Sequence, residues 1–449
     1  MSSEAPGAST PKHGNGYLVW VVFILTLAST FSIIDRQILN VMIGPIKRDL
    51  DISDSQMGLL MGAAFAVLYN LLSYPAGWMA DRYNRRNLMA GGIAAWSLMT
   101  VVCGTAHSYV TLFAARMGVG VGEAALAPAA YSTMADYFKA ARLPLAIGVV
   151  GAAPFLGQGL AGLVGGPLID YLEARPQMSV PVLGEIYSWQ AVFWLVGLPG
   201  LVVALLFFTI REPRRHGKTE ADGKGVPFSV VWSFVKSRRA FFVLIFTGYL
   251  ALSTQGWSLM LWIYEYFVRE HGLTRTQVGV PYGIISIVAG ISGSVFAGGF
   301  AGYWISKGRK DGTLRLVFIG TCLLGPSAVV LTLLPSAYAA IALLIPVTFL
   351  MAMPPGLISS ALQQIAPNEL RGQMIAFYMI AVNFLSYLVA PQLPPALDLL
   401  IYGREDTLGV SISVLAAINY SIAAICIGFG LRYFRKALKD AEAWQDKLL

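Results

Sequence analysis

Two opposite full charges stand side by side in Asp35-Arg36, inside an apolar run that opens at Tyr17 and continues to about Ile46. A second such pair, Arg116 and Glu123, brackets three glycines (Gly118, Gly120 and Gly122) in another apolar run. At helical rise those two residues share a face about 10 Å apart along the axis. A charge at bilayer depth costs several kcal/mol unless it is paired or faces a wet cavity. The four charges sum to zero, and the glycines let a neighbouring helix come close enough for them to meet. Two readings fit this set. Asp35 and Glu123 can exchange protons while Arg36 and Arg116 hold the ionised form or an anionic headgroup. Alternatively, the four can form a static neutral network that fixes packing. Buried charge networks stabilise poorly against apolar replacements, which favours the first reading, and the two are compatible.

The elements that must position these residues are membrane spans. Of the 449 residues 56% are hydrophobic and only 12% charged, with a mean hydropathy of +0.64. A soluble domain carries about 25% charged residues, so half of the usual polar surface is missing. Runs of about 20 mostly apolar residues predict twelve spans, at 17–46, 56–80, 87–106, 109–138, 142–170, 187–210, 240–268, 277–305, 313–334, 337–366, 370–400 and 409–432. The expected organisation is a tail (1–16), a six-helix bundle (17–210), a charged linker (211–239), a second six-helix bundle (240–432) and a tail (433–449). Within the linker, 227–235 reads as a short helix lying on the membrane surface. The fold class is therefore an all-α membrane protein of two pseudo-symmetric six-helix bundles.

Orientation follows from the basic residues. With both termini in the cytoplasm, 24 of the 32 Lys and Arg fall in the tails and the cytoplasmic turns. That bias is the positive-inside signal, and it predicts a multi-pass protein of the cell (inner) membrane. The sequence pI near 9.3 is thereby accounted for without nucleic acid as a partner. Cys103, Cys322 and Cys426 lie in apolar spans and read as packing residues, and His13, His107, His216 and His271 lie in tails or loops. Neither a metal nor a cofactor is expected. An intramembrane enzyme would need a nucleophile or metal set, and a sensor would need a signalling domain; neither feature is present in the sequence.

The turn after the second span, Gly77-Trp78-Met79-Ala80-Asp81-Arg82-Tyr83-Asn84-Arg85-Arg86, looks like the loop motif G-x-x-x-D-R-x-x-R-R of the major facilitator superfamily, with Asn84 in place of the usual glycine. Gly77 permits close helix approach, and Asp81, Arg82, Arg85 and Arg86 are expected to form a cytoplasmic gate across the seam between the halves. Gly302 to Lys310 repeats the pattern in degraded form after the eighth span, as parallel six-helix repeats require. Gly157 to Pro167 resembles part of a Gly-Pro motif of exporters, although Ala153 and Asp170 stand where further glycines belong. Ordinary small-residue packing explains it equally well. In the second half, Met351 to Gly356 reads as a broken, adaptable stretch, and an aromatic, sparsely polar lining suits an apolar tail. The possible cavity-lining residues are Asn70, Gln158, Gln255, Tyr264, Met353, Tyr378, Asn383 and Tyr387.

Asp35-Arg36, Ile52 to Ser55, Gly77 to Arg86, Gly91 to Leu98 and Arg116 to Ala124 together resemble the spinster family of that superfamily, in its bacterial form. The resemblance implies export of sphingosine phosphate-like or lysophospholipid molecules, with protons as coupling ion. The expectation is a monomeric alternating-access transporter for amphiphilic, lipid-like anions, with protons and membrane lipids as further partners. A proton-coupled carrier of small hydrophilic organic anions or drugs is the alternative.

Overall fold

The computed structural model describes residues 14–138, 142–174, 177–180, 184–213, 228–367, 370–403 and 407–445. Most of the N-terminal tail, the linker centre 214–227 and the end of the C-terminal tail lie outside the described residues. So do Asn368 and Glu369 of the turn after the tenth span.

Eleven helices among the described residues are long and apolar enough to cross a membrane: Asn15–Val41, Asp54–Arg82, Tyr109–Tyr137, Leu145–Glu173, Ser188–Thr209, Arg239–His271, Arg275–Ser306, Gly312–Leu331, Ala337–Ile365, Gln373–Tyr402 and Leu408–Ala441. Arg85–Cys103 is the third of twelve. Its opening Arg85-Arg86-Asn87 lowers its mean hydropathy, but it packs along both the fourth and the sixth spans. The twelve helices follow the expected order with ends shifted by a few residues, except that the twelfth continues from Leu408 to Gln445, into the stretch expected as a tail. The expected surface helix is a helix over Phe228–Ser237. Between the fifth and sixth spans the chain forms a hairpin instead of a plain turn, in which β1 (Gln177–Val180) pairs antiparallel with β2 (Gly184–Tyr187).

Several spans are interrupted, and proline chemistry accounts for the breaks in the fourth and tenth. Pro128 has no N–H to give the carbonyl of Ala124, and the fourth span divides there into Tyr109–Glu123 and Leu126–Tyr137. The tenth span divides before Pro354-Pro355, inside the stretch read as broken. The eleventh contains a π-helical segment, Met379–Phe384, and a 3₁₀ turn at Ala390–Gln392; the eighth contains a π-helical segment at Ser286–Gly290. Carbonyls orphaned by proline find partners elsewhere. Pro45 cannot bond Val41, whose carbonyl accepts from Arg275 Nε at 2.9 Å. Pro395 cannot bond Pro391, whose carbonyl accepts from Trp262 Nε1 at 3.1 Å.

The halves meet along the first and seventh, the fifth and eighth, and the second and eleventh spans. The fifth and eighth come very close: a Cβ at Gly283 would lie 2.5 Å from the carbonyl of Gly159, and one at Gly279 2.5 Å from that of Gly162. We call the end carrying Arg82 to Arg86 the basic face. At the opposite face, ion pairs tie the halves together. Asp54 accepts from Arg269 Nη1 at 2.6 Å and Nη2 at 2.7 Å, and also pairs with Lys47. Arg269 in turn holds Glu265 at 2.7 Å, and Arg275 reaches Glu173 at 2.8 Å. Asp170, a departure from the exporter glycine pattern, accepts from the main-chain N–H groups of Arg275 (3.2 Å) and Thr276 (2.8 Å) at the start of the eighth span. There its carboxylate complements the helix dipole across the seam.

Candidate functional site

The four charges meet, and they pair crosswise. Arg36 Nε donates to Glu123 Oε2 at 2.8 Å, and Nη2 donates to the same oxygen. Ser32 Oγ adds a third donor to that oxygen at 2.6 Å. Arg116 Nη1 donates to Asp35 Oδ1 at 3.1 Å and to the Asp35 carbonyl at 3.3 Å, while the Thr100 hydroxyl donates to Asp35 Oδ2. Asp35, Arg116 and Glu123 are almost wholly buried (2%, 1% and 1% exposed), whereas the Arg36 side chain keeps 17% of its surface open. Its guanidinium lies over the rings of Phe65 (4.2 Å) and Tyr69 (4.8 Å), a cation–π setting that holds it flat. Tyr387 of the eleventh span meets Phe65 edge-on at 6.2 Å, so the second half closes one side of this site.

Local sequence explains the geometry. Adjacent residues on one helix point 100° apart, so Asp35 faces the third and fourth spans while Arg36 faces the second and fourth. Glu123 is the last residue before the break that Pro128 imposes. Gly120 and Gly122 allow contact, since a Cβ on either would lie within 2.6 Å of main-chain atoms of Phe65 or Trp96. Glu123 Oε1 and Arg116 Nε are buried without a hydrogen-bond partner.

Thr100, Ser32, Phe65 and Tyr69 complete the site and were not singled out from sequence. Hydroxyls and rings are common in apolar spans, and only the helical register relative to Asp35 and Arg36 could have drawn attention to them.

On the basic face the loop motif spreads over two environments. Asp81 and Arg82 are exposed, with Arg82 stacked over Trp78 at 4.0 Å. Gly77 faces Pro128, 3.9 Å from where its Cβ would be. Arg85 is buried within the first half, donating to Asp136 at 2.5 Å and to Glu212 and Ser132 at 2.9 Å. The main-chain N–H of Arg86 donates to Glu212 at 3.1 Å. In the second half Asp311 gathers Arg315 at 3.0 Å and Arg435 at 2.6 Å. Burial pushes the Asp311 carboxyl up, but hydrogen bonds from Arg315 and Arg435 outweigh that and hold it below the usual carboxylate range.

The other residues singled out from sequence divide as follows. Asn70 is half-buried and donates to the Ala66 carbonyl at 2.8 Å. Gln255 is fully buried between the seventh and twelfth spans, donating to Ile412 and accepting from Asn419, both at 3.3 Å. Tyr378 packs on Tyr249, ring centroids 5.5 Å apart, and Met353 is buried at the break of the tenth span. Asn383 lies half-buried in the π-helical segment, and Tyr387 stacks edge-on against Trp257 at 4.8 Å. Gln158 and Tyr264 are buried, and neither Gln158 amide atom nor the Tyr264 hydroxyl has a partner.

Comparison with known proteins decides the family, because the Major Facilitator Superfamily model matches residues 25–391. The chain belongs to the major facilitator superfamily. It is 29% identical over 297 residues to protein spinster homolog 1 of Bos taurus, which covers 62% of this chain and 53% of the relative; the match thus spans about half the length of that protein. It is 26% identical over 337 residues to the D-galactonate transporter of Escherichia coli, covering 69% of this chain and 74% of the relative. Among solved structures, a bacterial homologue of the human lysosomal transporter Spinster, crystallised inward-facing and unoccupied, superimposes with a TM-score of 0.78 at 24% identity, covering 95% of this chain and 99% of that one. The resemblance to spinster proteins read from the first half is matched by these neighbours. This major facilitator protein is accordingly a multi-pass membrane transporter of the secondary type, with the twelve-helix fold, and not an enzyme.

Proposed function

We propose that the protein moves an amphiphilic, lipid-like anion by alternating access, coupled to protons, with both termini in the cytoplasm of a cell whose inner membrane it spans. One observation carries this reading: Arg36 is the partly open member of an otherwise buried charge set, held over two aromatic rings with Glu123 as its counter-ion. A proton arriving at the Glu123 carboxylate removes its charge. Arg36 then lacks a counter-ion and takes the anionic headgroup, while the aromatic and methionine surfaces of the second half accommodate a tail. Asp35, paired with Arg116 and capped by Thr100, serves as a second proton site whose charge state senses the approach of the fourth span.

The ion pairs Asp54–Arg269 and Arg275–Glu173 act as the outer seal, so that the cavity opens toward the basic, cytoplasmic face. Asp81, with Arg82 and Arg86, closes the cytoplasmic side in the other half of the cycle, and Arg85 supports that loop from within the first half. The similarity to a D-galactonate transporter favours a second reading, a small hydrophilic organic anion on the same arginine. Flux in proteoliposomes, measured with and without a pH gradient across a panel of lysolipids and sugar acids, tests both. Lysolipid flux driven by the gradient supports the first reading. Sugar-acid flux alone replaces it with the second, and flux indifferent to pH rejects proton coupling.

A further inference from the structure

Four buried polar atoms, unpartnered among the described residues, stand along the seam between the first, fifth and seventh spans. They are Asn40 Oδ1, both amide atoms of Gln158 and the Tyr264 hydroxyl, on residues only 1%, 5% and 1% exposed. Their placement follows from close contacts. The Tyr264 hydroxyl lies 2.6 Å from where a Cβ on Gly162 would sit, and Gln158 is one turn before Gly162 on the fifth span. Gly157, just before Gln158, rests against Ile33, and Gly165, two turns on, against Ile38, which sets Gln158 near Ile33, where the Arg36 guanidinium reaches Ser32. Asn40 is one turn beyond Arg36 on the first span, with its Nδ2 donating to Gln37 and its Oδ1 free. One further turn out, Gly44 meets the Arg275 and Glu265 side chains of the outer seal. The orphaned atoms therefore run outward from the level of the Arg36 guanidinium.

Buried amides and phenols left without partners are costly and normally satisfied, so several along one seam call for ligand groups that satisfy them. All four atoms are uncharged, and they include acceptors as well as donors. A carboxylate or phosphate oxygen would answer the donors alone; a hydroxyl answers both. We infer that Asn40, Gln158 and Tyr264 form a subsite for the hydroxyl groups of an anionic substrate whose charge sits on Arg36. This rests on the reading of Arg36 as the anion site and narrows it to hydroxyl-bearing headgroups, of the glycerol or the sugar-acid kind.

Calorimetric titration of the full-length protein in nanodiscs tests it with two matched pairs: lauroyl lysophosphatidylglycerol against dodecyl phosphate, and galactonate against hexanoate. The hydroxylated member of a pair should bind at least about tenfold tighter than its match. Gln158→Leu and Tyr264→Phe, made separately so that a folding failure in one leaves the other, should each cut that preference and leave the hydroxyl-free ligand unchanged. Preference in the first pair alone assigns a lipid headgroup, and in the second alone a sugar acid. Equal binding within both pairs overturns the subsite while leaving Arg36 as the anion site. No binding by any of the four overturns the Arg36 reading and the subsite with it.

Discussion

Arg36 directs two donors, Nε and Nη2, to the same oxygen of Glu123 and none to the other. Glu123 Oε1 is left buried and bare, so the carboxylate is satisfied on one side only. Replacing Glu123 with Gln keeps the volume and removes the charge. Glu123→Gln should still bind an anion at Arg36 but lose the dependence of flux on a pH gradient, the ratio of driven to undriven flux falling to about one. Gradient-driven flux at the wild-type level in the variant would remove Glu123 from coupling.

Arg116 is the buried cation of the other pair, and Asp35 has no second one at hydrogen-bond distance. Arg116→Met leaves a buried carboxylate uncompensated, a loss of about 3–5 kcal/mol. The loss should shrink at acid pH, where a proton neutralises Asp35, and Asp35→Asn in the same chain should recover most of it. Thermal unfolding of the single and double variants between pH 5 and 8 gives the comparison. A penalty that does not change with pH contradicts an ionised Asp35.

The proposed outer seal hinges on Asp54, which is 1% exposed and takes both arms of Arg269. Asp54→Asn removes the charge from this pair and should shift the resting population toward outer-open forms. Spin labels placed on the outer ends of the second and eleventh spans should report a longer distance in the variant. An unchanged distance distribution would mean that Arg275–Glu173 and the glycine contacts hold the seal without Asp54.

Asp311 provides a pH test outside the membrane spans. Its folded carboxyl titrates below the usual range, so the bonds to Arg315 and Arg435 add stability above the ordinary carboxylate pKa of about 3.9. That contribution is lost as pH falls through the lower folded value. The stability gap between wild type and Asp311→Asn should be full at pH 6 and narrow as the pH falls below about 3.9. A gap that does not narrow as the pH falls below about 3.9 would show that the pairing is not electrostatic.

Much of this was legible in the sequence because a bilayer forbids most alternatives. Full charges at Asp35, Arg36, Arg116 and Glu123 had to find each other, and apolar run lengths marked the spans directly. Which charge meets which was not legible, since the crosswise pairing depends on the rotation of the first span against the fourth. Arg85 illustrates another limit: the motif spacing groups it with Arg82 and Arg86, yet burial beside Asp136 and Glu212 requires folds of the chain more than 50 residues away. Asp170 looked like a broken glycine pattern, and its meaning lies in the N–H groups of Arg275 and Thr276. The carbonyls of Val41 and Pro391 were readable in principle, because each stands four residues before a proline. Their partners, Arg275 and Trp262, were not.

The crosswise pairs also have a mechanical meaning. Two neighbouring residues of the first span grip two points of the fourth that lie about 10 Å apart along its axis. Such a linkage behaves as a crosspiece: sliding or rocking one helix against the other by a single residue strains both joints together. Release of Arg36 and release of Arg116 are then mechanically linked, and under the proposed coupling a proton landing at either carboxylate loosens the same crosspiece. While both pairs hold, the first and fourth spans move together.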